Sequence, residues 1–169
     1  MGNANTIQKC NYEDIQDIIR KKHNNNTRRQ YILIHTLDDN ELSCIIPTTL
    51  TPNEEVRHIN SIIQEKQFNI PIVLYGLNCS DKRVIEKYNK LSQFGFQNIF
   101  IYIGGLFEWL CLQDIYGEEE FPTTSTELDI LKFKPIKNIK LSMLMERNTY
   151  YLEDTNKKNG VFNVLKNLF

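Results

Sequence analysis

The sequence predicts one α/β domain with a mostly parallel central sheet and helices on both of its faces. A chain of 169 residues with 41% hydrophobic and 24% charged residues is long enough to bury one core. Short apolar runs of strand length alternate with longer segments whose apolar residues recur at helical spacing. This alternation predicts right-handed crossovers and a sheet that is covered on both sides.

The first helix begins at a recognisable cap. Asn11 precedes Asp14 by three residues, so each side chain can bond to the other's backbone, and Ile15, Ile18 and Ile19 then form an apolar face. Apolar runs, proline and glycine define the later elements. The predicted strands cover 31–35, 43–47, 72–75 and 98–103, and the later helices cover 54–67, 80–94 and 106–115.

Charge and cysteine usage exclude several classes of function. The formal net charge of -1 gives no global field for nucleic acid, so no nucleic-acid partner is expected. The four cysteines, Cys10, Cys44, Cys79 and Cys111, form no metal-ligand spacing with each other or with the three histidines, so neither a metal nor another cofactor is expected. Without a secretory signal or a membrane-spanning run, we expect a cytoplasmic protein with free thiols.

Residues 1–10 form a predicted lipidation segment. The start MGNANT places Gly2 and Thr6 as N-myristoylation requires, although an ordinary start or a cloning remnant explains so short a motif equally well. One myristoyl chain binds membranes only marginally, so stable attachment needs a second signal. Acylation of Cys10 is one candidate for that signal. The other is a lysine cluster facing anionic lipid, unless these lysines are simply solvated: Lys132, Lys134, Lys137 and Lys140.

The stretch 94–109, FGFQNIFIYIGGLFEW, resembles the rhodanese-like domain family. Members of that family carry Leu-Gly-Phe, a strand, a glycine pair, and a tryptophan four residues after the second glycine, the place that Trp109 takes here. The resemblance covers about residues 11–117 and implies the fold predicted above. Residues 75–124 are also similar to rhodanese-like proteins of large DNA viruses of protists and algae, which implies a viral source and a place in the virion.

The loop after the third predicted strand departs from the pattern of active members. Those members read Tyr-Cys-x-x-Gly-x-Arg-Ser, and the fold directs backbone N–H groups at the cysteine sulfur. Gly76 stands in the nucleophile's place, and Cys79 stands where the loop glycine is expected. The residues equivalent to the active loop are Gly76, Leu77, Asn78, Cys79, Ser80, Asp81 and Lys82. Cys79 and Arg83 are also too close in sequence for the longer loop of the phosphatase branch.

A second departure lies at the end of the first conserved strand. Family members usually carry Asp-x-Arg there, whereas this chain continues with His35, Thr36 and Leu37. We expect His35 to be a structural polar group, because a histidine without a nucleophile in reach has no group to deprotonate as a general base. Cys44 and Cys111 lie in apolar segments and are expected to be inert thiols. Trp109 is expected to pack in the core.

These departures imply a catalytically silent binding or assembly module, peripheral on a membrane if Gly2 is acylated. The alternative is a divergent sulfurtransferase or thiol redox protein that uses Cys79. This thiol precedes a helix with Ser80 as the predicted N-cap, and a helix N-terminus lowers the pKa of a thiol, whereas the charge of Asp81 opposes this. Residues 118–169 form a C-terminal extension outside the resemblance. Its segment 129–144 has strand-like alternation, and 161–168 has helical spacing that suits either packing on the domain or docking to a partner.

Overall fold

The computed structural model describes residues 6–23 and 31–136, with side chains from 6–21 and 31–136. The chain divides into two units, Met1–Pro135 and Ile136–Phe169, and the described residues belong to the first unit apart from Ile136. Several sequence-based predictions lie outside the described residues: Gly2, Lys137, Lys140 and the helix over 161–168.

Four parallel strands form the sheet of the described residues, which confirms the predicted fold class. They are β1 (Gln8–Cys10), β2 (Ile32–His35), β3 (Ile72–Tyr75) and β4 (Ile99–Tyr102). The spatial order is β1-β4-β3-β2, with Tyr75 opposite His35 on one side and Tyr102 on the other. The carboxyl ends of β2, β3 and β4 therefore lie side by side, where α/β proteins place their ligand sites.

Helices cover both faces of the sheet, as predicted. They are α1 (Tyr12–His23), α2 (Pro52–Glu65), α3 (Lys82–Gln93) and α4 (Gly105–Tyr116), with single 3₁₀ turns at Asp39–Glu41 and Ile130–Phe133. One buried cluster joins α1 and α4 to the sheet through Ile15 and Trp109, the latter 0% exposed. The opposite cluster joins α2 and α3 through Ile62 and Leu91. Burying both faces explains why β2 and β3 read as unbroken apolar runs.

The helix starts follow from local capping. The Asn11 N–H donates to the Asp14 carboxylate at 2.9 Å, and the Asp14 N–H donates back to the Asn11 side chain at 3.2 Å, as predicted. Before α2, Thr51 and Glu54 form a capping box, and Pro52 occupies the first helical position. These contacts satisfy N–H groups that a helix leaves without internal partners.

The strand predicted at 43–47 is wrong, because this stretch buries Cys44 and Ile46 without joining the sheet. Its backbone groups bond to side chains and a loop instead of a strand. The Ile46 N–H donates to the Tyr75 hydroxyl at 3.3 Å, and the Ile45 N–H donates to the Thr124 hydroxyl at 3.1 Å. The Thr124 N–H in turn donates to the Ile45 carbonyl at 2.9 Å. The apolar run predicted a strand. Its backbone groups instead bond to the Tyr75 and Thr124 side chains and to the Thr124 backbone, so the segment forms a loop.

Residues beyond both ends of the predicted core contribute to the fold. β1 pairs with β4 in parallel, in a segment that sequence patterns assigned to lipidation only. Phe121 and Phe133 are each 3% exposed and belong to the cluster around Trp109. The described part of the segment 129–144 contains the 3₁₀ turn Ile130–Phe133 and no strand, so its strand-like alternation was misleading there.

Candidate functional site

The loop at the carboxyl end of β3 packs against the start of α4. The Gly76 carbonyl accepts from the Leu106 N–H at 2.9 Å, and the Leu77 carbonyl accepts from the Phe107 N–H at 2.8 Å. Gly105 makes this approach possible, because a Cβ there would lie 2.6 Å from the Gly76 oxygen, and its φ of +63° suits glycine. The N–H groups of Leu106 and Phe107, in the first turn of α4, are thus bonded to the loop.

The Asp81 carboxylate is the centre of this loop. It accepts from the Leu77 N–H at 3.0 Å and from the Arg83 N–H at 3.1 Å. The Arg83 guanidinium also donates to both of its oxygens, from Nε at 2.9 Å and from Nη2 at 2.8 Å. Burial alone would raise the pKa of the Asp81 carboxyl, but these hydrogen bonds hold it below its ordinary value. Asp81, and not the predicted Ser80, is the N-cap of α3.

Arg83 connects the loop to the segment that follows β2. Its Nη1 donates to the Asp38 carboxylate at 2.6 Å and to the Glu41 carboxylate at 2.9 Å. Sequence reasoning missed these ion pairs because Asp38 and Arg83 are 45 residues apart. The Asp-x-Arg pattern is missing from the end of β2, yet this edge of the sheet has an ion-pair network built from residues elsewhere in the chain.

The other predicted loop residues lie together but do not surround Cys79. The Asn78 side chain donates to the Phe133 carbonyl at 2.7 Å and accepts from the Ser80 N–H at 2.9 Å. The Cys79 side chain is exposed, with its Sγ atom 4.0 Å from the Ser80 hydroxyl. Lys82 is exposed on the first turn of α3. The loop therefore presents a solvent-facing thiol, while its carboxylate is bonded within the chain.

The remaining thiols lie outside this loop. Burial raises the pKa of the Cys10 thiol to about 12, with a further contribution from the Asp14 charge. Cys44 is 0% exposed and its Sγ donates to the Ser125 carbonyl at 3.1 Å, and burial raises its pKa as well. Burial, with the Asp114 charge, raises the pKa of Cys111. Raised pKa values disfavour the nucleophilic thiolate. Cys44 lies in the core as predicted, whereas Cys111 is partly exposed, and the inertness of both thiols stays a prediction.

His35 is buried at the end of β2, with 8% of its surface exposed. Its Nδ1 atom accepts from the Leu37 N–H at 3.2 Å, which requires this nitrogen to be unprotonated. Burial lowers the pKa of the imidazole, and the nearby Lys87 charge acts in the same direction against the opposing charge of Glu55. This arrangement matches the structural polar group that the sequence predicted.

Residues 6–23 and 31–136 contain neither a metal-binding group nor a membrane-spanning helix. No group of three potential metal ligands occurs there, and no helix in these ranges has the length and apolar character to span a bilayer. Lys132 pairs with Glu127 and lies 4.7 Å from the centre of the Phe133 ring, so one member of the predicted lysine cluster has partners within the domain. A cleft of about 380 Å³, lined by Tyr88 and Phe96 among others, does not include the loop after β3.

Comparison with known proteins places the fold among solved structures. No family model matches the chain, and no curated protein matches it. The chain is similar to the rhodanese-like domain of the Anabaena protein Alr3790, at 15% identity over 80% of this chain and 89% of that domain, with a TM-score of 0.46. It is also similar to Saccharomyces cerevisiae Ygr203w, described as a homolog of single-domain rhodanese and the Cdc25 phosphatase catalytic domain, at 13% identity over 73% and 91%, with a TM-score of 0.49.

These neighbours are rhodanese-like domains. A third similar structure, the BH2092 protein of Bacillus halodurans, matches at 20% identity over 65% of this chain and 74% of that chain, with a TM-score of 0.46. At these identities the likeness concerns the fold. Alr3790 and Ygr203w are thus described in terms of rhodanese, the family that the sequence resembles.

The loop after β3 differs in charge from the rhodanese-like pattern that the sequence resembles. In Tyr-Cys-x-x-Gly-x-Arg-Ser, the cysteine position corresponds to Gly76 and the arginine position to Asp81. The chain thus has a carboxylate where the pattern has a cation, and Arg83 provides the positive charge two residues later. The Leu77 N–H, which belongs to the loop backbone, bonds to that carboxylate.

Proposed function

We propose that this chain is a catalytically silent rhodanese-like module that binds or assembles with a protein partner. The observation that carries the proposal is that β3 delivers Gly76, and no thiol, to the start of the loop. Covalent sulfur transfer divides a difficult step into two easier ones only when a thiolate stands at the attack position. Backbone N–H groups cannot replace that nucleophile, because they stabilise charge that the reaction must first create.

The internal bonding of the loop supports the same function. The Leu77 N–H and the Arg83 guanidinium bond to Asp81, and the side chain of Asn78 bonds within the chain at both of its ends. Groups that are already bonded must lose those partners before they can bind a small anionic substrate. A loop of this kind is better suited to holding a fixed surface for a protein partner than to turning over substrate.

A divergent sulfurtransferase or thiol redox protein is the second candidate function. The exposure of Cys79 favours it, since an accessible thiol can react with a sulfur donor or an oxidant. The geometry favours it less, because the hydrogen bonds of the loop converge on Asp81 and not on the Cys79 sulfur.

Steady-state assays with three proteins test the proposal. Wild type, Cys79→Ser and the matched control Cys111→Ser are supplied with thiosulfate or mercaptopyruvate and with cyanide or thiol acceptors, and separately with a phosphatase substrate. We expect no turnover above background in any of them, with an active rhodanese establishing the detection limit. Turnover in wild type and Cys111→Ser that disappears in Cys79→Ser would contradict the proposal and support the second candidate.

Membrane attachment and a viral source belong to the same proposal. The MGNANT start supports myristoylation of Gly2, with Cys10 acylation or the lysines at positions 132, 134, 137 and 140 as the second signal. The similarity of residues 75–124 to viral rhodanese-like proteins supports a module packaged in a virion. A silent domain that is anchored by lipid would act as an adaptor at the membrane or virion surface.

A further inference from the structure

The side chains of Asp81 and Val84 fill the space beside Gly76, where a side chain at position 76 would lie. The absence of a cysteine at this position does not by itself account for that packing. A Cβ atom built on Gly76 would lie 2.5 Å from Oδ2 of Asp81 and 2.6 Å from Cγ2 of Val84. The Asp81 side chain is 5% exposed and Val84 is 4% exposed, so both belong to the packed interior of the domain. Any side chain at position 76 therefore has to displace a buried neighbour.

Arg83 holds the Asp81 carboxylate in that space. The guanidinium bonds to both carboxylate oxygens of Asp81, and its Nη1 atom also bonds to Asp38 and Glu41. Bidentate pairs of this kind fix the orientation of the carboxylate as well as its position. Moving Asp81 away from Gly76 would disturb contacts in α3 and in the segment after β2 at once.

The charge of Asp81 adds a second obstacle. A thiol at position 76 would lie directly beside the carboxylate, and a neighbouring negative charge disfavours a thiolate. The carboxylate would raise the pKa of such a thiol and reduce its thiolate fraction even if the loop made room for it. Volume and charge thus act against a nucleophile at the same point.

We propose that Asp81 is a second determinant of the loop's silence, a positioning residue that excludes a nucleophile from the end of β3 by its volume and its charge. The inference rests on the proposed function, because it treats the wild-type loop as silent. It goes further by stating that a cysteine at position 76 is not sufficient for a reactive loop, and that Asp81 must change as well.

Three full-length variants in a Cys79→Ser background test this inference. The first carries Gly76→Cys alone, the second adds Asp81→Ser, and the third adds Asp81→Asn. Serine caps a helix as well as aspartate does but has a shorter side chain, whereas asparagine keeps the volume and removes the charge. The matched substitutions therefore separate the two effects.

The first readout is the rate at which iodoacetamide alkylates the introduced thiol, followed by peptide mass and measured as a function of pH. In this reaction the thiolate forms an S–C bond and iodide leaves. We expect the reaction at neutral pH to be about tenfold faster with Asp81→Ser than with Gly76→Cys alone, as a shift of one pKa unit would produce. Asp81→Asn should move the pH profile in the same direction. Equal rates and equal profiles in all three variants would overturn the inference.

The second readout is urea unfolding, which covers the case in which Gly76→Cys folds poorly. We expect Gly76→Cys to lower the free energy of unfolding less in the Asp81→Ser background than in the Asp81 background. The Asp81→Ser variant without Gly76→Cys completes the double-mutant cycle. Equal loss of folding in both backgrounds would overturn the inference, because it would leave Val84 as the obstacle. Cys79-dependent turnover by wild type would refute the proposed function without changing these comparisons, so the two failures are distinguishable.

Discussion

Arg83 binds the carboxylate of Asp81 through two hydrogen bonds, from Nε to Oδ1 at 2.9 Å and from Nη2 to Oδ2 at 2.8 Å. The same guanidinium reaches Asp38 and Glu41. One cation thereby joins the start of α3 to the segment after β2. Because Asp81 is nearly buried and Arg83 is 30% exposed, this network is intermediate between a surface pair and a buried one.

Arg83→Ala should destabilise the protein by about 1.5–3 kcal/mol, because it leaves the Asp81 carboxylate buried without its cation, and partial exposure reduces the cost below that of a fully buried pair. Urea unfolding monitored by circular dichroism measures this change. Arg20→Ala is the matched control, since Arg20 is 59% exposed and pairs with the exposed Glu120. The control should cost at most about 1 kcal/mol. Equal costs for the two substitutions would refute the structural importance of the network.

Acid should weaken the protein partly through Asp81. The pKa of its carboxyl is lowered in the folded state, so the stability it contributes is present above the ordinary value of about 3.9 and is lost as pH falls through the folded pKa. Asp81→Asn should therefore be less stable than wild type at neutral pH, with a difference that narrows below about pH 4. Asp17→Asn controls for removal of a surface carboxylate. A difference that stays constant into acid would count against this account.

A histidine contributes a second pH dependence, in a different range. Folding lowers the pKa of His35, so the neutral form is favoured and stability should fall as pH drops below about 6.5 toward the folded pKa. His35→Asn keeps an acceptor for the Leu37 N–H and should flatten this part of the stability profile. Chemical unfolding at a series of pH values tests it, with the exposed His58→Asn as control. An unchanged profile in His35→Asn would exclude His35 as the cause.

The segment after α4 should be essential to the core. Phe121 is 3% exposed, and its ring centre lies 5.0 Å from that of Trp109. Phe121→Ala should cost about 3–5 kcal/mol, the usual cost of removing a buried ring. Leu128→Ala, at a position that is 93% exposed in the same segment, should change stability by less than about 0.5 kcal/mol. Thermal or urea unfolding measures both variants, and a small effect of Phe121→Ala would show that this segment is dispensable.

Myristoylation should be visible in the mass of protein made in a eukaryotic cell. We expect a myristoyl group on Gly2, and we expect Gly2→Ala to shift the protein from the membrane fraction to the soluble fraction. Replacing Lys132, Lys134, Lys137 and Lys140 with glutamine tests whether these lysines provide the second signal, through binding to anionic vesicles. A free amine on Gly2, or equal partitioning of wild type and Gly2→Ala, would refute lipid attachment.

Sequence patterns were sufficient where an element's own residues determine its environment. The apolar runs of β3 and β4 predicted buried parallel strands, and the paired side chains of Asn11 and Asp14 predicted the start of α1. β1 could not be recognised in this way, because Gln8 and Lys9 are polar and the strand exists through its pairing with β4. The strand that stabilises β1 is β4, about 90 residues later in the chain.

The candidate site was predictable in position but not in content. The end of β3, and a glycine rather than a cysteine directly after it, could be read from the sequence. The contact between Gly76 and Asp81 could not, because it depends on the side-chain direction at the N-cap of α3. The sequence predicted Ser80 as the N-cap of α3, one residue before the actual cap, Asp81. Asp38 was missed because it meets Arg83 only after the crossover through α2 has brought β2 beside β3.

The position of β1 at the edge of the sheet limits how far from the domain an acyl group on Gly2 could lie. Gly2 is six positions before Gln8, so a fully extended chain spans at most about 22 Å between them. The segment between an acylated Gly2 and β1 would therefore be a short tether, and it would hold the folded domain close to the membrane. A membrane partner would meet the domain at a high effective concentration, whereas a partner on a distant structure would be out of reach.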